Sequence, residues 1–254
     1  MERAARRLLV TMPLHAITTT YGEEGLRERF AAEIEVFAED DRRRLERALD
    51  LAARLHAADR RQREPYVNHL LRVAIRILSH YGVRDADVAC AALLHDAVED
   101  HPAELAALAA GGDLAAGGDL AAGGDQQAAL AVLADQFGPR VAEYVAAVTN
   151  PAYAPGRDEY EQYREHVAAS LETCPWARVI KASDFTDNAV GLIHSTGPRL
   201  DRLAGKYAPL VPVLSDLIAR PDTPLSDAAK TRILGQFAQA AERFAAIVPG
   251  GPAT

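Results

Sequence analysis

Cysteine is nearly absent: Cys90 and Cys174 are the only two among 254 residues. Neither a disulfide framework nor a zinc-finger spacing can be built from them, and such usage suits a reducing cytoplasm. Aromatic residues are scarce at 6%, while abundant alanine favours helices packed closely through small side chains. No apolar run is long enough to cross a bilayer, so a membrane partner is not expected. Near the N-terminus, Leu8-Leu9-Val10 is too short, and too soon broken by Pro13, to serve as a signal peptide. Positive charge is in deficit: 28 Lys and Arg face 36 Asp and Glu, a net charge of −8. That balance argues against DNA and against any broad nucleic-acid footprint. What is present is ordinary for a globular protein, with 49% hydrophobic and 25% charged residues and ample chain to bury a core.

The apolar pattern is helical nearly throughout, and few β-branched alternations occur, so the fold class expected is all-α. Residues 25–59 read as one or two amphipathic helices with a break near Glu39-Asp40-Asp41, preceded by a loose N-terminal extension. Pro65 suits the first turn of a helix running to about His80, and Gly82 ends it. A further helix is expected from about Asp85 to Asp100, closed by His101-Pro102. Leu-Ala-Ala-Gly-Gly-Asp then occurs three times in succession, at 108–113, 114–119 and 120–125. Paired glycines disfavour helix and strand, so a flexible linker is expected; a six-residue period lacks the pattern of a calcium-binding β-roll. Helices follow over 126–137, 139–148, 157–173, from Pro175 to about His194, over 199–218 and over 225–247. The division expected is a partly helical extension (1–45), a core (46–200, with the repeat insertion at 103–128) and C-terminal helices (201–254).

Chemistry concentrates at His95-Asp96-Ala97-Val98-Glu99-Asp100, which ends the apolar run Val88–Leu94. Asp96, Glu99 and Asp100 stand at i, i+3 and i+4, so three carboxylates crowd one helical face beside an imidazole. Unpaired, they would repel one another and raise their own pKa values; a divalent cation removes the conflict, and a solvated acidic helix end is the plainer alternative. His69 and Asp184 are further candidate ligands. His69 could equally be a buried histidine bonded to backbone, and Asp184, with Asn188 at i+4, could be paired with Lys181. Two imidazoles and two carboxylates form a mixed donor set that suits Mn²⁺, Fe²⁺ or Zn²⁺. His80, His101, His166 and His194 are not favoured as ligands.

The order His69, His95-Asp96, Asp184 resembles that of the HD phosphohydrolase superfamily. More narrowly, Arg60–His69 resembles the Arg…Glu-Pro-Tyr-x-x-His segment of RelA/SpoT-type hydrolase domains, and Ala91–Asp100 resembles their Ala-Ala-Leu-Leu-His-Asp-x-x-Glu-Asp signature. Phe137-Gly138, Val141-Ala142 and Val148-Thr149 are similar to the stretch that follows it there. With no synthetase segment in these residues, the chain is similar to a stand-alone alarmone hydrolase built as a single HD-domain helical bundle. The resemblance implies Mn²⁺ held by His69, His95, Asp96 and Asp184, with Fe²⁺ or Zn²⁺ as alternatives. It implies that Glu99 and Asp100 orient and deprotonate the attacking water, that Arg60 steadies the pyrophosphate, and that Asn188 contacts the nucleotide or its sugar. The implied reaction removes the 3′-pyrophosphate of (p)ppGpp to give GDP or GTP.

Departures leave the substrate open. The usual Lys-Leu-Ala-Asp-Arg-Leu-x-Asn keeps Lys181, Asp184 and Asn188 here, but Ser183, Phe185, Thr186 and Asp187 differ. Arg61 and Arg63 add positive charge near Arg60, for phosphate binding or as solvated surface. The other readings are an HD phosphohydrolase acting on the NADPH 2′-phosphate or a tRNA 3′-pyrophosphate, and a catalytically weak nucleotide-binding regulator. A second copy of the chain is a further partner left open.

Overall fold

A computed structural model describes residues 8–61, 64–109, 122–191 and 198–247. By its internal contacts the chain forms two compact units, Met1–Thr149 and Asn150–Thr254. The described residues are helical apart from one two-strand ladder, and no described helix is long and apolar enough to cross a membrane.

In the first unit, α1 (Leu14–Ile34) is kinked at Gly22, whose φ of 61° is one that side-chain-bearing residues seldom adopt. Of the segment before Gly25, which the sequence suggests is a loose extension, Leu14 onward is helical and joins the helix expected from Gly25. Leu14, Ile17, Leu26, Phe30 and Ile34 are buried, and the buried Arg29 guanidinium, paired with Glu33 at 2.8 Å, also donates to the carbonyls of Leu9 and Val10. α2 (Glu39–Leu55) opens on Glu39, Asp40 and Asp41, which complement the positive end of the helix dipole. It buries Leu45, Ala48, Leu51, Ala52 and Leu55.

Pro65 does not start a helix. It lies in β2 (Glu64–Pro65), paired antiparallel with β1 (Arg60–Arg61). A proline cannot donate to a ladder, and a two-residue edge asks little of it. α3 (Val67–Ile75) follows and passes into a single π turn, Arg76–His80.

The helix expected over 85–100 is broken. α4 (Ala86–Leu94) ends at a turn made by His95 and Asp96, and α5 (Ala97–Asp100) restarts beyond it. Asp96, at φ −94° and ψ −9°, lies in the bridge region where active-site residues often sit. α4 is begun by Asp85, whose Oδ1 accepts from the backbone amide of Asp87 at 2.9 Å. Val88 to Leu94 are all fully buried because α4 packs against α2, α3 and α8 (Pro139–Val148). A helix that is apolar all round must be enclosed in this way.

Both flanks of the repeat insertion are helical, as α6 (Pro102–Ala109) and α7 (Ala122–Phe137), which pack on each other. The last Ala-Gly-Gly-Asp of the repeat thus begins a helix rather than a linker. The linker expected over 110–121 lies outside the described residues, as do Arg63 and the break at Gly197.

The second unit holds α9 (Glu159–Thr173), α10 (Pro175–Gly191), α11 (Pro198–Tyr207), α12 (Leu210–Ala219) and α13 (Asp227–Ile247). The single helix expected over 199–218 is two, divided at Ala208-Pro209. Proline lacks the N–H that continues a helix and crowds the residue before it. α10 packs on α9, α12 and α13. Phe185 of α10 is buried edge-on to Phe237 at 5.1 Å between ring centroids, with Tyr207 at 5.9 Å.

Candidate metal and catalytic site

The first unit gathers His69, His95 and Asp96 around one atom. His69 enters from the first turn of α3, with its backbone amide bonded to the Tyr66 carbonyl at 2.9 Å, and is fully buried. His95 arrives at the C-terminal end of α4. Its Nδ1 lies 2.9 Å from the Ala92 carbonyl, which can only accept, so Nδ1 carries a proton and Nε2 is the nitrogen that faces the site. Asp96 Oδ2 is 3.2 Å from His95 Nε2 and 3.6 Å from His69 Nε2. The two imidazole rings meet at 60° with centroids 5.3 Å apart. A fixed histidine tautomer with its outer N–H on a carbonyl is the arrangement by which metal-bound histidines are oriented. Two imidazoles and a carboxylate so placed are a fitting donor set for a divalent transition metal.

Tyr66 belongs to this group and went unassigned in the sequence reading. Its hydroxyl donates to Asp96 Oδ2 at 2.7 Å, and burial raises its pKa, so it remains a donor. Its place three residues before His69 was the available signal, since that spacing brings it back one turn. Glu64 anchors the same segment. Its two carboxylate oxygens accept from Arg72 at 2.9 and 2.8 Å, and one also accepts from the Asn68 amide at 3.1 Å.

Glu99 and Asp100 follow on α5, both reaching solvent. Asp100 keeps a backbone link to Asp96, its amide donating to the Asp96 carbonyl at 2.8 Å. Desolvation by the protein packed around it, with repulsion from Asp96 and Glu99 added, pushes the Asp100 carboxyl up to about 6. Arg60 is exposed on β1, and Arg61 is half-buried with its guanidinium 5.3 Å from the Tyr66 ring centroid. Arg61 thus has a structural partner as well as a charge to offer.

In the second unit, α10 carries Asp184 and Asn188 on one face. Asp184 is buried, its Oδ1 accepting from the Asn188 amide at 2.7 Å and its Oδ2 from Lys181 Nζ at 3.1 Å. The Lys181 pairing weighed as an alternative does form. Each carboxylate oxygen retains a second lone pair, so the pairing and a metal bond are compatible. Ser183, Phe185, Thr186 and Asp187, where the sequence departs from the related motif, are all buried.

A family model described as an HD domain matches residues 48–174, a span that takes in His69, His95, Asp96, Glu99 and Asp100 and ends before Asp184. Guanosine-3′,5′-bis(diphosphate) 3′-pyrophosphohydrolase MESH1 of Homo sapiens is 32% identical over 153 residues, covering 59% of this chain and 69% of the human protein. The protein of the same name from Xenopus tropicalis is 53% identical over 57 residues, which are 21% of this chain but only 31% of that protein. Among solved structures, one described as a metazoan ortholog of SpoT that hydrolyzes ppGpp has a similar fold. Its TM-score is 0.54 at 24% identity, covering 77% of this chain and 94% of that one. The chain belongs to the HD domain family.

Proposed function

We propose that this protein is a metal-dependent 3′-pyrophosphohydrolase of (p)ppGpp, releasing pyrophosphate and leaving GDP or GTP. The observation that carries the reading is the convergence of the His69 and His95 imidazoles on Asp96 Oδ2. Similarity to MESH1 supports the choice of nucleotide. In this reading His69, His95 and Asp96, with Asp184 from the second unit, hold the cation, and Mn²⁺ is the ion favoured over Fe²⁺ and Zn²⁺. Once bound, such an ion polarises a phosphoryl oxygen and offsets phosphate charge.

The side chains have the following roles. Glu99 and Asp100 orient a water against the 3′-pyrophosphate, and Asp100 takes its proton as the new P–O bond forms; the ribose 3′-oxygen leaves with the electron pair of the broken bond and takes up a proton from solvent to become a hydroxyl. A base titrating near the working pH is both ionised enough to accept and basic enough to pull. Arg60 and Arg61 meet the negative charge of the pyrophosphate; a guanidinium stays charged throughout. Asn188, whose amide holds Asp184, contacts the nucleotide or its sugar. Phe185 packs into the core of its own unit, so its departure from the related motif is accounted for by packing and favours no other substrate.

The test is to strip the protein of metal, restore Mn²⁺, and supply ppGpp, NADPH and 3′-pyrophosphorylated tRNA at equal concentration. GDP and pyrophosphate from ppGpp are the expected products, with Asp96→Ala inactive and chelator abolishing turnover. No product from ppGpp at any metal level, or faster turnover of either other substrate, overturns the reading.

A further inference from the structure

A second group of metal-ligating side chains lies in the first unit, and the proposed hydrolysis does not use it. His56, Asp59 and His101 each present a ligand atom, and these atoms lie within 4.8 Å of one another. We propose that they form a second binding site for a divalent transition-metal ion of the zinc or cobalt kind, separate from the His69–His95–Asp96 group.

The geometry is convergent. Asp59 Oδ2 lies 2.8 Å from His56 Nδ1 and 2.7 Å from His101 Nε2. The two rings stand at 81° with centroids 4.6 Å apart, each aiming one nitrogen at the same oxygen. The three come from three backbone stops. His56 caps the C-terminus of α2, its amide bonded to the Ala52 carbonyl. Asp59 immediately precedes β1, its carbonyl accepting from the Tyr66 amide and its own amide bonded to the His56 carbonyl. His101 ends α5 directly before Pro102. Ligands held by such stops are positioned before any ion arrives. Sequence spacing hides the group, since 42 positions separate Asp59 from His101.

The chemistry of the donors fits. Two imidazoles and one carboxylate form a borderline set that Zn²⁺ and Co²⁺ favour, and three protein ligands leave a fourth tetrahedral position for water. Glu104 Oε1 lies 3.4 Å from His101 Nδ1, the ring nitrogen facing away from Asp59. A carboxylate on the outer nitrogen is the partner that orients a ligating histidine. His56 is buried to 2% exposure, and its other nitrogen has no hydrogen-bond partner, so Nδ1 is the one polar atom of that ring already directed at a neighbour.

An ion in this position replaces two N–H···O hydrogen bonds. The His101 Nε2 proton leaves to solvent, while the His56 ring, which burial keeps neutral, moves its one proton from Nδ1 to Nε2, so that His56 Nδ1, His101 Nε2 and the Asp59 oxygen bond the ion. Tetrahedral bonds of about 2.0–2.2 Å set ligand edges at about 3.3 Å. The two edges to Asp59 Oδ2, at 2.8 and 2.7 Å, each widen by about half an ångström to reach it, within the reach of small side-chain rotations. Tyr66 joins the two groups: its ring stacks on His56 at 4.5 Å and 9°, while its hydroxyl donates to Asp96.

The experiment uses the full chain, stripped by chelator and titrated with Co²⁺, with visible absorption and metal content after gel filtration as readouts. Wild type is expected to bind two equivalents. His101→Gln and Asp59→Asn should each lose one, with at least a tenfold weaker second affinity, and Asp96→Asn should lose the other. Asp59→Asn keeps an oxygen acceptor for both histidines, so it guards against loss by misfolding, which circular dichroism checks. The proposal is overturned if both variants keep the wild-type stoichiometry and spectrum, or if wild type binds a single ion that only Asp96→Asn removes. A result in which Asp96→Asn changes nothing while His101→Gln loses one equivalent upholds this second site and sinks the ligand set of the first.

Discussion

Replacing Tyr66 by phenylalanine removes one oxygen and leaves a ring of the same shape. The stack on His56, the Arg61 guanidinium over the ring and the edge contact with His69 all survive. What is lost is the 2.7 Å hydrogen bond to Asp96 Oδ2, the oxygen on which both site histidines converge. Hydrogen bonds to charged groups contribute about 1.5–3 kcal/mol. Water can replace part of this one, because the Asp96 side chain is 19% exposed, so a loss of about 1–2 kcal/mol is expected for the metal-free fold. Urea unfolding of Tyr66→Phe and wild type in chelator at neutral pH measures it. Turnover should suffer more than stability. Partners that orient a metal ligand typically cost about 10–100-fold in affinity or activity when removed, and Asp96 would be freer to rotate away from His69. If Tyr66→Phe unfolds at the wild-type urea midpoint and turns over ppGpp within about twofold of wild type, Tyr66 does not position Asp96 and the account of the site is wrong.

Asp100→Asn should abolish turnover yet stabilise the metal-free protein. The folded-state pKa of about 6 lies above the ordinary 3.8, so ionising Asp100 opposes folding, and the penalty grows as pH rises from about 4 to about 6 and stays constant above. Melting temperatures of variant and wild type should therefore differ at pH 7 and converge below pH 4; a difference that persists at low pH refutes the assignment. In the second unit, Arg178 is buried to 1% exposure. It donates to the carbonyls of Leu171 and Glu172 and, through both terminal nitrogens, to Asp222. Arg178→Met strands those two carbonyls and should cost about 3 kcal/mol by denaturant unfolding, whereas a change under about 1 kcal/mol would show that solvent replaces these bonds. Cys90 is fully enclosed and its thiol is pushed up to about 12 by burial, so a thiol reagent should modify it only after unfolding; labelling in the native state would mean α4 opens.

The helical class was legible because its cause is local. Apolar residues recur at helical spacing, and the acidic start of α2 and the cap at Asp85 announce helix beginnings. The metal-ligand candidates were legible for a different reason: an acidic cluster against an apolar run needs a partner for its charge. Helix ends were less so. Pro65 reads as a helix start, but the chain pairs it with Arg60 in a short antiparallel ladder, a local hairpin that a helical period does not register. The single helix expected through Asp100 breaks at His95-Asp96 although no glycine or proline marks the place. Gly123-Gly124 reads as a linker and is helical.

By itself, then, the order of residues determined the helical architecture and which ionisable side chains lie next to the apolar α4, since both follow from spacing along one helix. Folding alone decided that Tyr66 donates to the oxygen shared by His69 and His95, and that His101 closes on Asp59 and His56. Those meetings depend on where α2, the β turn, α3 and α5 come to rest in three dimensions. A hydrogen bond 42 positions long leaves no periodic trace in a chain whose regularities repeat about every 3.6 residues.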